Sequence, residues 1–161
     1  MPQLSDRRRR PAGAPGSGGA RKRPVVLATL SVRVDPSAER MALESALEVG
    51  ARLILANVSM MSPYPMTLVF ASPYMTLPHE EDLDAVRATA NRAAELGIPT
   101  ELLRVCSPHP VRTVLELAGE RDAGLLVFGP DLRLTSRWRF ARAARMVRRR
   151  APCLVWIAPD G

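Results

Sequence analysis

Short, nearly unbroken apolar runs that alternate with amphipathic segments constrain this chain more than any other feature. Val25–Leu30, Arg52–Val58, Gly124–Gly129 and Cys153–Ala158 are such runs, and Thr100–Cys106 reads as a further strand. A strand apolar on both faces must be buried on both, which is the situation of a parallel sheet covered by helices. The intervening segments have helical spacing. Asp35-Pro36-Ser37 offers an N-cap followed by Pro at the first helical position, Leu43, Ala46 and Leu47 recur at helical intervals, and Gly50 suits a C′ stop. Glu80–Leu96 opens with acids and is followed by Gly97, and Pro110–Arg121 places Val111, Val114, Leu115 and Ala118 on one face. An Arg-rich helix is expected at about 136–150. This alternation predicts an α/β fold, an open parallel sheet of five strands with helices on both faces and right-handed crossovers. Ligands in such sheets bind beyond the carboxyl ends of the strands, where the strand order reverses. The turns after Leu30 and Phe128 are therefore the places to look for chemistry.

Two segments stand outside the pattern. Residues 1–24 carry seven basic residues against one acid, with much Pro, Gly and Ser and no Val, Ile or aromatic residue. Such a stretch buries too little surface to offset its ordering entropy, so a disordered basic tail is expected before a folded domain at 25–161. It either touches RNA, DNA or anionic lipid through salt-sensitive contacts or only solubilises the chain, the simpler reading. Ser59–His79 holds four prolines together with Tyr64, Phe70, Tyr74 and several methionines. It is too broken for a regular element, although Thr67–Ala71 has strand character, and long loops in compact domains are usually functional or mobile.

The net charge of +7 points at first to a nucleic-acid partner, but residues 25–161 are nearly neutral once the tail is set apart. Aromatics make up only 4%, too few for a base-stacking surface. Cys106, Cys153, His79 and His109 have no metal-ligand spacing, so no metal site is expected. No apolar run reaches the roughly 18 residues of a membrane helix, and Arg7–Arg10 are followed by Pro, Gly and Ser rather than a signal-peptide core. A cytoplasmic protein without membrane contact is expected. Ser31 lies in no nucleophile elbow, His109 sits between two prolines as a cap or surface residue, and no catalytic residue is assigned.

The opening strand with Asp35-Pro-Ser-Ala-Glu-Arg-Met-Ala-Leu-Glu-Ser-Ala-Leu47, the segment Asp122-Ala-Gly-Leu-Leu-Val-Phe-Gly129, and Arg145–Pro159 resemble the universal stress protein family from Pro24 to Pro159. The resemblance implies a Rossmann-like, adenine-nucleotide alpha-hydrolase-like sheet of order 3-2-1-4-5. It also implies a homodimer through the last strand, with Leu154, Val155, Trp156 and Ile157 at the dimer edge, and places Cys106 and Cys153 on opposite sheet edges, too far apart to bridge.

Members of that family that bind ATP carry G-x2-G-x9-G-[ST] after the fourth strand, where glycines let backbone N–H groups approach phosphate. Gly129 matches the first glycine, but Leu132 stands at the second, the third falls near Ala141 and the hydroxyl position near Arg142, shifting by a residue with the gap. The acid that closes the first strand is replaced by Leu30 or Ser31, and Asp35 is better explained as a helix cap. The candidate nucleotide contacts are Thr29, Leu30, Ser31, Val58, Gly129, Asp131, Arg133, Arg137 and Arg142. The leading expectation is a non-catalytic, dimeric stress-response module with a degenerate nucleotide site, no cofactor and an unidentified protein partner. The alternatives are an ATP- or AMP-binding switch in which arginines replace the glycines, and a nucleic-acid-associated protein acting through residues 1–24.

Overall fold

The computed structural model describes residues 22–60 and 80–158. Its elements are β1 (Val25–Thr29), α1 (Pro36–Val49), β2 (Leu53–Met60), α2 (Glu80–Glu95), β3 (Thr100–Ser107), α3 (Pro110–Glu120), β4 (Leu125–Phe128), α4 (Arg137–Arg150) and β5 (Leu154–Ile157). All strand pairs are parallel and the order is β3-β2-β1-β4-β5, as expected. One expectation is corrected: Ser59 and Met60 continue β2, pairing with Cys106 and Ser107, rather than opening the loop. The strand-like piece at 67–71 and the tail at 1–21 lie outside the described residues.

The period-two alternation of strand side chains divides the core between the two faces of the sheet. Val25, Leu27, Leu53, Leu55 and Val127 pack against α1 and α2, whereas Val26, Ala28, Ile54, Val58, Leu126 and Phe128 pack against α3 and α4. Phe128 stacks on Phe140 of α4 with centroids 6.0 Å apart. Because β1 is flanked by β2 and β4, it is buried along its whole length.

Asp35 caps α1 by accepting a hydrogen bond from the Ser37 backbone N–H at 2.8 Å, and Pro36 follows at the first turn. Gly50 ends the helix in the left-handed region at φ 63°. The helix fully buries Ala38, Ala42 and Ala46; Leu43 is half-buried against the core and Leu47 is 47% exposed. A stripe of alanines four residues apart brings the α1 backbone close to the sheet, and that closeness has consequences at the end of β4. Across the same face Glu39 accepts from Arg92 of α2 at 2.8 Å and from Thr89 at 3.2 Å. The Glu39 carboxylate raises the Arg92 pKa above its ordinary value.

Candidate ligand-binding pocket

The chain leaves β1 toward β2 on one side and reaches β4 on the other, so the carboxyl ends of β1 and β4 form the point where strand order reverses. The two turns there are laced together. Thr29 is fully buried, and its hydroxyl is directed at the carbonyls of Val32 (2.6 Å) and Arg33 (3.3 Å). Ser31 holds a left-handed conformation, φ 61°. Val34 bridges to Pro130, the Asp35 N–H donates to the Gly129 carbonyl at 2.9 Å, and the Asp131 N–H donates to the Arg33 carbonyl at 3.0 Å.

Beside these turns lies a pocket of about 530 Å³. It is walled by Leu30, Ser31 and Val32 after β1, Val58 and Met60 of β2, Pro110 and Val111 of α3, and Trp138, Arg139, Arg142, Ala143 and Met146 of α4. Arg139, Arg142, Ala143 and Met146 fall on one helical stripe, which is why α4 presents them together. Among the described residues no Asp, Glu or His lines the pocket. Arg142 lies 5.8 Å from the centroid of the Trp138 ring, within cation–π range.

The turn from Pro130 to Ser136 separates this pocket from a second, of about 670 Å³, that contains Arg33, Asp35, Asp131, Arg133 and Arg137. Asp131 is 7% exposed. Its carboxylate accepts from Arg33 Nε and from the Arg133 backbone N–H, both at 2.9 Å. The turn therefore encloses an anion of its own. Several backbone donors of this stretch are bonded within the protein: Gly129 donates to Ala28 at 3.0 Å and Leu134 to Asp131 at 3.1 Å, while Pro130 has no N–H. Leu132, at the second glycine position of the family motif, is half-buried against the α3–α4 side of the core. Counted strictly from Gly129, the third glycine falls on Arg142 and the hydroxyl on Ala143, one residue beyond the expected positions.

The candidate residues thus separate into three groups. Leu30, Ser31, Val58 and Arg142 meet in the first pocket. Asp131, Arg133 and Arg137 lie in the second. Thr29 and Gly129 hold the turns together and line neither. Trp138 and Met146 were not among the candidates; the stripe spacing 139-142-143-146 was the signal that reveals Met146.

Elsewhere, His109 precedes α3 without a side-chain capping bond. Ser107 ties the turn to the helix, its oxygen accepting from the His109 N–H at 3.0 Å and from the Thr113 hydroxyl at 2.7 Å. Cys106 on β3 and Cys153 beside β5 are free thiols at opposite edges of the sheet. Among the described residues no three His, Cys, Asp or Glu side chains cluster as a metal site. No described helix is long and apolar enough to cross a membrane. At the β5 edge Leu154 is 75% exposed, and Val155, Trp156 and Ile157 are half-buried.

Solved structures share this fold. A universal stress protein family member from Burkholderia pseudomallei is 24% identical, with TM-score 0.61, over 88% of this chain and 99% of that one. Universal stress protein UspA from Lactobacillus plantarum is 19% identical, with TM-score 0.66, over 87% and 99%. The universal stress protein from Archaeoglobus fulgidus in complex with dAMP is 22% identical, with TM-score 0.54, over 84% and 96%. No curated protein matches the sequence. The sequence model of the universal stress protein family matches residues 22–159, a span that includes the whole of the described fold, and the chain belongs to that family.

Proposed function

We propose that the chain is a non-catalytic regulatory module of the stress response whose pocket no longer takes adenine nucleotides by the family's phosphate loop. One observation carries this reading: the turn after β4 already contains the buried carboxylate of Asp131, held by Arg33 and by the Arg133 N–H. A phosphate in that turn would meet a like charge and would find the Gly129, Asp131, Arg133 and Leu134 N–H groups already bonded. Among the described residues neither histidine nor carboxylate lines the pocket, so none of them is placed there as a general base.

Calorimetric titration of the full chain with ATP and with AMP tests the reading. No saturable heat is expected from either at millimolar nucleotide. A saturable isotherm with either one overturns it.

The module is further proposed to be a homodimer through β5. The support is the unpaired outer edge of that strand, with exposed Leu154 and half-buried Trp156 on a segment of high β-propensity.

A further inference from the structure

The first pocket pairs two chemistries. Leu30, Val58, Val111, Phe140 and Met146 give it hydrocarbon walls, while Arg139 and Arg142 on α4 supply exposed guanidinium groups. Neither arginine is in an ion pair among the described residues, although other arginines of this fold are: Arg33, Arg92, Arg112 and Arg121 each hold a carboxylate. A volume of about 530 Å³ is in the range of small-molecule sites, which are mostly apolar with a few polar groups that fix orientation. An acidic side chain inside such a pocket would repel an anion, and among the described residues none lines this one.

We infer that this pocket binds an amphipathic monoanion, a ligand with an apolar body and one carboxylate head. The body lies against Val58, Val111 and Met146, and the head is held by Arg139 and Arg142. Guanidinium groups bind carboxylates bidentately and are weakly hydrated for cations, so they suit a head presented at the rim of an apolar cavity. Trp138 adds an aromatic face beside Arg142 that covers part of the ligand body. The single head group follows from the arrangement: both arginines lie on one stripe of one helix and so converge on one carboxylate, and in the neighbouring turn the Arg133 N–H already donates to Asp131. The inference rests on the reading that the pocket has left nucleotide binding behind.

The test is calorimetry on the full chain with dodecanoate below its micellar range, with dodecanol as the uncharged counterpart of equal tail, and with ATP. Dodecanoate is expected to bind saturably, and dodecanol at least about tenfold more weakly, the difference expected from losing one charge-assisted hydrogen bond. Arg139→Gln and Arg142→Gln, both at exposed positions that leave the core untouched, are each expected to weaken dodecanoate and leave dodecanol unchanged. Absence of dodecanoate binding overturns the inference, as does equal binding of the acid and the alcohol, or an unchanged affinity in both variants. Saturable ATP binding strikes instead at the proposed function, so the two failures are distinguishable.

Discussion

A Cβ built on Gly129 would lie 2.0 Å from the Cβ of Ala38. The one glycine retained from the family's phosphate motif is therefore required by the close approach of α1 to the end of β4. Its presence is not by itself evidence of a phosphate site. Gly129→Ala is expected to destabilise the fold by about 1–3 kcal/mol, the usual cost of overpacking. Ala38→Gly in the same chain removes the clashing methyl, and the double variant is expected to recover part of the loss despite the helix penalty of glycine. Urea unfolding of the four proteins checks this, and strict additivity would contradict the contact.

The pair Asp131–Arg33 makes a second prediction. Asp131→Ala leaves the Arg133 N–H and the Arg33 guanidinium without their acceptor, at an expected cost of about 1–3 kcal/mol. It also removes the internal anion. The variant is therefore expected to be stabilised in thermal melts by inorganic phosphate, while the parent chain is not. Equal responses of the two proteins would show that Asp131 does not stand where an external anion would bind.

The two thiols should differ in reactivity. Burial pushes the Cys153 thiol above its ordinary pKa, partly offset by a backbone hydrogen bond from Leu126 and by the charge of Arg23. Cys106 is exposed on an edge strand. A chromogenic disulfide reagent near neutral pH is expected to label Cys106 in a fast phase and Cys153 in a slow one, with the slow phase accelerating as pH rises. The folded state holds the Cys153 proton more tightly than the unfolded state does. Its contribution to stability is thus complete below the unfolded pKa and fades as pH rises through the folded one. Cys153→Ala is expected to flatten the alkaline loss of stability seen by denaturant titration.

The edge of β5 provides a test of assembly. Leu154→Lys places a charge on an exposed position, so the monomer fold should change by no more than about 0.5 kcal/mol. A charge on an outer strand opposes edge-to-edge pairing. Sedimentation equilibrium is expected to give a dimer for the parent and a smaller mass for the variant. A monomeric parent would remove the proposed interface.

The helix-to-helix pair Glu39–Arg92 is half exposed on the arginine side, and its contribution is correspondingly limited. Glu39→Gln is expected to cost under about 1 kcal/mol, with the difference shrinking in high salt. A loss insensitive to salt would indicate that Thr89, which also donates to Glu39, carries the effect.

Much of the fold was legible because its signals are local. Asp35-Pro36, Gly50 and the apolar runs of β1, β2 and β4 each act through their own backbone or through immediate burial, so residue order alone exposes them. The buried face of α1 was less legible. Spacing pointed to Leu43, Ala46 and Leu47; Ala46 is buried and Leu43 packs half-buried on the core, but Leu47 is exposed and the sheet accepts the alanine stripe because that lets the helix sit closer.

The site was legible only in outline. From the sequence by itself came the strand–helix order, a consequence of local pattern, while the loss of three motif positions and the place of the switch point between the first and fourth strands came by resemblance to the family. Only the tertiary structure decided which arginines face the pocket: Arg139 and Arg142 of α4 line it, whereas Arg137 of the same helix and Arg133 of the preceding turn line the second one. It also decided the role of Asp131, whose partner Arg33 is 98 residues distant in the chain. Hydrogen-bond donors are assigned by where folding brings acceptors, and a linear pattern of residue types carries no such information.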